Sequence, residues 1–443
     1  MPVQNIKLKG TSVKTLAGTT IGFFVGFAAV SLFNVTAIKF KVPMHLNPES
    51  FGLLVSMPLL SGSLLRIPFS AWVDKNGGRK SNLILLALAI LGLLCVFITS
   101  ALYFPGHVTP AMYPWLLFLG LLSGCGIATF SPGISQTAFW FPKARQGLAL
   151  GIFGGLGNLA PGIFVLLMPL ALSHLGLTGT YEIWLALLVT GTILYALLAK
   201  NAWYFQLLAG GADGQSAHRL AAENGQELFP LGNARRSLAL AASRWQTWGL
   251  VFLYFTTFGG FLAITVWLPN FFHAYYGKPI PEAAQIGGLA SILACIVRVG
   301  AGVLADKIGG KTVSYIALVI LAAGSIVAAL AAGFAVSVVG IMLIATGMGM
   351  NNAAVFKLVP LAVPEAIGSA AGLVGGIGAV GGFLLPPLWG QIVGISGKAG
   401  YPDGMFVFTV LALLGLCFAA LLRRRSSEMT VVTVPKDLAN APA

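Results

Sequence analysis

Arg66 and Arg298 are the residues of this sequence that most need a chemical explanation. Each lies in a long apolar stretch. Each also precedes an acidic turn by the same eight positions, Asp74 in Asp74-Lys-Asn-Gly-Gly-Arg-Lys80 and Asp306 in Asp306-Lys-Ile-Gly-Gly-Lys311. At about 1.5 Å per helical residue that spacing sets each guanidinium about 12 Å in from its turn, well inside a hydrocarbon layer about 30 Å thick. A charge at such depth costs at least about 2.5 kcal/mol, so it needs a partner. The twelve acids supply none: Glu49, Asp74, Glu182, Asp213, Glu223, Glu227, Glu282, Asp306, Glu365, Asp403, Glu428 and Asp437 all lie away from the middle of a span. Backbone carbonyls alone would be the purely structural solution, and an anionic ligand is the more economical one. Arginine suits an oxyanion because its planar fork can bond two oxygens at once.

Other polar and aromatic residues fall at the same depth. Phe130 stands about eleven residues before the end of the fourth apolar stretch, and Asn158 about twelve into the fifth. Tyr254 and Phe258 lie about eight to twelve into the seventh, and Asn351 and Asn352 about ten before the end of the tenth. Each estimate lands roughly 12–18 Å from the same face. Tyr254 and Phe258, four apart, share one side of a helix. Singly each of these is a packing residue; around two arginines they read as a pocket. Lys357, nearer the end of the tenth stretch, either draws anions inward or simply snorkels to the interface.

The elements that must hold these residues are membrane spans. Hydrophobic residues make up 57% of the 443 and charged residues only 9%, with a mean hydropathy of +0.89. Soluble domains carry roughly a quarter charged residues, so the fold class expected is an all-α polytopic membrane protein. Spans are expected near 16–38, 51–73, 80–103, 112–141, 147–173, 180–199, 247–272, 284–305, 311–333, 336–362, 368–393 and 403–422. The first lacks a small-residue cleavage site and reads as a span rather than a cleaved signal. This divides the chain into an N-terminal six-helix bundle (1–199), a solvated cytoplasmic linker (200–245), a C-terminal six-helix bundle (246–425) and a cytoplasmic tail (426–443). With the N-terminus inside, nineteen lysines and arginines fall in inner segments and four (Lys39, Lys41, Lys278 and Lys398) in outer ones, which orients both termini to the cytoplasm. The three cations left within spans are Arg66, Arg298 and Lys357.

The same distribution accounts for the net charge of +14 without nucleic acid. The four cysteines lie inside apolar stretches without ligand spacing, and His45, His107, His174, His218 and His273 fall at or near span ends. No nucleophile–base pair or metal cluster is visible, so neither an enzyme nor a cofactor is expected.

The two halves repeat each other. The Asp-Gly-Gly-basic turns recur at an offset of 232, with Ser70 where the second copy has Gly302. The glycines permit a tight turn and the charges can cap helix ends, so Asp74, Arg79, Asp306 and Lys311 form a candidate conformational latch. The pattern resembles the loop signature of the major facilitator superfamily, which implies two pseudo-symmetric bundles with a midplane site. Glycine strips repeat too: Gly151, Gly154 and Gly157 match Gly375, Gly378 and Gly381 at an offset of 224. Such strips let helices pack closely and slide. Gly154 and Gly381 are the expected points where backbone reaches a small substrate.

The fifth and eleventh helices are similar to the signatures of the nitrate/nitrite porter family of NarK type. That resemblance implies that Arg66 and Arg298 clamp nitrate or nitrite, completed by Asn158, Phe130, Tyr254 and Phe258. Nitrate is planar and monovalent, which suits two guanidinium forks with aromatic rings over its faces. Two arginines around one monovalent anion resist closing when unloaded, which favours nitrate/nitrite exchange by rocker-switch alternating access. Proton-coupled nitrate symport and another small-anion antiport are the alternatives within transporters. A channel or a membrane sensor fits the paired turns less well. The expected setting is a bacterial inner membrane, with lipid around a protein that works as a monomer.

Overall fold

The computed structural model describes residues 8–229, 234–363 and 367–422, and among them every regular element is helical. Long apolar helices follow one another in chain order: α1 (Ser12–Ser31), α2 (Pro48–Val73), α3 (Arg79–Tyr103) and α4 (Pro110–Ala138). The run Ala149–Leu198 is too long for one span. It breaks at Gly176, whose φ of 69° with ψ of −175° is a conformation open essentially to glycine alone. The break separates α5 (149–175) from α6 (177–198). The second half follows as α7 (Trp245–Tyr276), α8 (Ile280–Ala305), α9 (Gly310–Ala329), α10 (Phe334–Val359), α11 (Ser369–Asp403) and α12, the shorter Phe406–Leu421. Among the described residues the outcome is twelve membrane-spanning helices in two six-helix bundles, as the sequence predicts.

Glycine sets how closely these helices approach. A Cβ on Gly26 would fall 2.5 Å from the Gly126 carbonyl where α1 crosses α4. One on Gly349 would fall 2.4 Å from the Ala294 carbonyl where α10 crosses α8. In lipid no hydrophobic effect drives helices together, so such backbone-close packing supplies the attraction.

Between the bundles, helices Trp203–Ala209 and Gly214–Glu223 fold as a small cap. Phe205 packs with Val73, Phe139 and Trp140 of the first bundle, and Ala217 and Ala221 pack with Leu207 and Leu8. A third helix, Ala234–Ser243, lies against the first half of α11. The described parts of the linker are thus helical and lean on different bundles.

The bundles meet unevenly. On the face away from the Gly-Gly turns, a Cβ on Gly52 of α2 would lie 2.4 Å from the Pro386 carbonyl of α11. One on Gly390 would lie 2.3 Å from the Pro48 carbonyl. Gln391 also donates to the Glu49 carboxylate at 3.1 Å across the same seam. Toward the turn face the packing is looser: a Cβ on Gly151 of α5 or Gly372 of α11 would meet nothing within 4 Å.

Candidate functional site

The helices that carry the predicted site residues lose their regularity beside those residues. α2 is interrupted at Leu65, directly before Arg66. α4 runs as a 3-10 turn through Cys125–Thr129 up to Phe130. α5 breaks at Leu159, just past Asn158. Pro68, Pro132 and Pro161 each follow within three residues, and a proline removes one helical hydrogen bond and crowds the carbonyl four residues back. α7 widens into a π turn over Phe255–Gly259. There the Thr256 and Thr257 hydroxyls bond back to the Phe252 and Leu253 carbonyls, a contact that competes with helical bonding. α11 is interrupted at Val380. Irregular backbone at membrane depth persists where it lines a protected cavity rather than lipid.

Arg66 is completely buried. Its Nη1 donates to the Gly375 carbonyl of α11 at 3.0 Å, across the two bundles, while Nε and Nη2 have no partner. Its guanidinium sits 4.9 Å from the Phe130 ring centre and 5.4 Å from that of Phe258. Arg298, half-buried on α8, lies 5.9 Å from Phe258 and 6.0 Å from Phe356. Phe258 is therefore shared by both guanidiniums. Each pair is a cation–π contact, and the two arginines are near enough to repel each other.

The rings form a continuous shelf. Tyr254 stacks on Phe258 with centres 4.7 Å apart and planes 8° from parallel. Phe130 also stacks with Phe258, at 6.5 Å, and Phe356 meets Tyr254 edge-on at 5.1 Å. The buried Tyr254 hydroxyl feels both arginines and stops short of hydrogen-bond geometry with Arg298. The site thus offers donors and a positive field above an aromatic floor, which suits a small planar anion.

Beside this shelf is a crevice of about 190 Å³ lined by Asn158, Phe258, Phe261, Ala294, Cys295, Arg298 and Asn352. The Asn158 amide nitrogen donates to the Gly154 carbonyl one turn back, and its oxygen is buried without a partner. The Cys295 thiol donates to the Asn158 carbonyl at 3.2 Å and so ties α8 to α5.

The structure thus gathers Arg66, Arg298, Asn158, Phe130, Tyr254 and Phe258 around one place, with Gly154 beside Asn158. Gly381 is elsewhere, in the α7–α11 seam, where a Cβ would sit 2.8 Å from the Phe255 carbonyl. Its neighbour Gly378 likewise presses on Tyr254, at 2.9 Å. These two glycines position the π turn, and the α11 glycine that reaches the arginines is Gly375, through its carbonyl. Phe356 escaped the sequence reading, although its place four residues after Asn352 on one helix was an available signal. The π turn left no pattern to read.

In the candidate latch, the Asp74 and Asp306 side chains lie outside the described residues. Arg79 donates to the Ala196 carbonyl at 2.7 Å. Lys311 donates to the Ala420 and Leu422 carbonyls at 3.1 and 2.6 Å. Each cation caps the end of the last helix of its own bundle, where the helix dipole favours positive charge. Lys357 is exposed.

Twelve spans in two halves, with a polar site walled by both, define a membrane transporter, and the chain belongs to the Major Facilitator Superfamily, whose family model matches residues 19–386. It is 27% identical to the probable nitrate/nitrite antiporter NarK1 of Thermus thermophilus, over 94% of this chain and 92% of that one. It is 26% identical to the nitrate/nitrite transporter NarU of Salmonella typhimurium, covering 95% and 94%. To the nitrite extrusion protein of Bacillus subtilis it is 25% identical, covering 93% and 92%. In fold it is similar to a partially occluded inward-open structure of the xylose transporter XylE from E. coli, with a TM-score of 0.67 and 14% identity over 92% and 96% of the two chains.

Proposed function

We propose that this protein carries nitrate and nitrite across a bacterial inner membrane by exchange, with Arg66 and Arg298 clamping the anion over Phe258. The carrying observation is Arg66. It is fully buried, with Nε and Nη2 unpartnered, and it shares one aromatic ring with a second arginine. Unpaired donors at such a site have no compensation unless a ligand supplies it. The names of the relatives support the choice of anion.

Exchange is favoured by charge. The crevice residues include an arginine and no carboxylate or histidine, and two guanidiniums in low dielectric repel strongly until an anion lies between them. A loaded carrier reorients; an unloaded one is held back. The lysine and arginine distribution puts the turn face in the cytoplasm together with both termini, so the tight far-face seam closes the outside and the conformation is inward-facing. The two bundles would rock about the site as rigid bodies, and Arg79 and Lys311 stiffen each bundle from within. The latch role of Asp74 and Asp306 belongs to the same reading. A single chain holds both arginines, so the monomer is the working unit.

The test uses purified protein in liposomes. [15N]nitrate uptake should be fast into vesicles loaded with nitrite and at least about tenfold slower into vesicles lacking a counter-anion, a difference that a 1.4 kcal/mol barrier would produce. Fast uptake into unloaded vesicles that depends on a proton gradient would replace exchange with symport.

A further inference from the structure

The far-face seam is filled by aromatic rings, and one cation is set against them. Phe51 of α2 and Trp267 of α7 are both completely buried and meet edge-on, with ring centres 6.1 Å apart. Trp267 in turn stacks on Trp389 of α11, at 5.9 Å with planes 7° from parallel. The contact between Phe51 and Trp267 joins the two bundles. Along α2 it lies about 22 Å toward the far face from Arg66, at 1.5 Å per residue. Lys41 ends the short helix Ala37–Lys41 between α1 and α2. Its Nζ stands 5.5 Å from the centre of the Phe51 ring, a cation–π contact. The other far-face lysines differ from it. Lys39 and Lys398 are exposed, and Lys278, half-buried like Lys41, is paired with Glu282 at 2.7 Å. Lys41 has no such pairing: among the described residues no carboxylate comes within ion-pair distance of it. Glu49, the nearest acid along the chain, accepts from Gln391 and lies close to the Tyr113 hydroxyl instead. Burial lowers the Lys41 pKa, and no carboxylate offsets that.

We infer that Lys41 is a docking point at which the anion is first taken up from the outside, before it moves on to Arg66 and Arg298. This rests on the reading of the far-face seam as the outer closure and of the arginines as the clamp. What decides it is which contacts survive opening. Lys41 and Phe51 belong to one bundle, so their contact travels as a unit. Phe51 and Trp267 belong to different bundles, so theirs has to part. Parting uncovers a cation without a carboxylate partner, beside an aromatic ring, at the mouth of the route. An ammonium already stripped of part of its water attracts an anion more strongly than an exposed one. A small planar oxyanion can accept from it while lying on the ring. Lysine is a point charge without the guanidinium fork. It therefore holds the anion loosely, which suits a way station more than a clamp.

The experiment compares right-side-out and inverted membrane vesicles, which present the two faces of the full-length protein in turn. At low ionic strength Lys41→Gln should raise the outer-face half-saturation concentration for nitrate about threefold, the attraction of one unit charge roughly 6 Å away in water. The inner-face value should not change. Lys41→Arg should behave as the unaltered protein, and Lys39→Gln should have a smaller effect than Lys41→Gln. The Lys41→Gln difference should shrink as a salt of a non-transported anion is added, because mobile ions screen the charge. If Lys41→Gln does not reach the membrane, Lys41→Met, which keeps the stem on Phe51 and removes the charge, decides it. An unchanged outer-face value, an equal rise on both faces, or an equal rise in Lys39→Gln overturns the inference. So does an outer-face fall with an inner-face rise, which would make Lys41 a brace on the closed seam. Failure of the clamp is separately visible, because Arg66→Lys would then transport nitrate normally whatever the Lys41 result.

Discussion

Arg66 and Arg298 are not equivalent despite their matched positions in the repeat. Arg66 is fully buried and bonded to Gly375 of the opposite bundle, whereas Arg298 is half-buried, close to Phe258, Phe356 and the crevice. Lysine at either position keeps the charge but loses the planar fork. Arg66→Lys and Arg298→Lys should each reduce transport by at least about tenfold, the value of a charge-assisted hydrogen bond, measured as initial uptake in liposomes at equal protein density. Normal uptake by either variant would refute the clamp. Arg66→Lys should also lower thermal stability more, because it loosens the bond to Gly375. These two residues were legible in the sequence because a charge in an apolar run is conspicuous and the repeat fixes its depth. Phe356 and Cys295 were not. Their roles depend on which residues of another helix they meet, and no spacing within one helix records that.

At the scale of elements, the glycines divide by what faces them. Gly378 and Gly381 abut the π turn of α7, so an added methyl group must displace the Tyr254 ring or the Phe255 carbonyl. Gly372, on the same helix, faces open space in this conformation. Gly378→Ala and Gly381→Ala should therefore destabilise the protein by about 1–3 kcal/mol, the usual cost of overpacking, and should weaken anion binding by shifting the shelf. Gly372→Ala should leave the melting temperature unchanged. Differential scanning fluorimetry of the three variants in detergent checks this; equal stability throughout would show that α7 and α11 are not locked at this seam. The repeat in the sequence revealed that α5 and α11 correspond, yet not which glycine does what. Gly381 was expected at the substrate and lies in the seam instead, because the π turn of α7 brings backbone into the space its missing side chain leaves. That turn contains hydroxyl-to-carbonyl bonds of Thr256 and Thr257, common residues with no signature of their own.

Across the whole molecule the pattern of contacts is asymmetric in a way the sequence symmetry conceals. Hydropathy and the paired turns were enough to find twelve spans and two bundles, and the Gly176 break fell in the expected gap between the fifth and sixth. The conformation was not readable, since both halves must be able to adopt either arrangement. It emerges from the far-face seam, where Gly52 and Gly390 admit backbone from the other bundle and Gln391 reaches Glu49. If the bundles rock as rigid bodies, that seam has to part in every cycle. A short thiol-reactive crosslinker between Glu49→Cys and Gln391→Cys, in a background lacking Cys95, Cys125, Cys295 and Cys417, should hold it shut. The crosslinked protein should still bind nitrate from the turn face as well as the same cysteine-free background does before crosslinking, because Arg66 and Arg298 are unchanged by the crosslink. Exchange should fall to the level of protein-free vesicles and recover once a cleavable linker is cut. Crosslinked protein that exchanges at the full rate would mean that the anion passes without the bundles separating, and alternating access about the arginine pair would have to be abandoned.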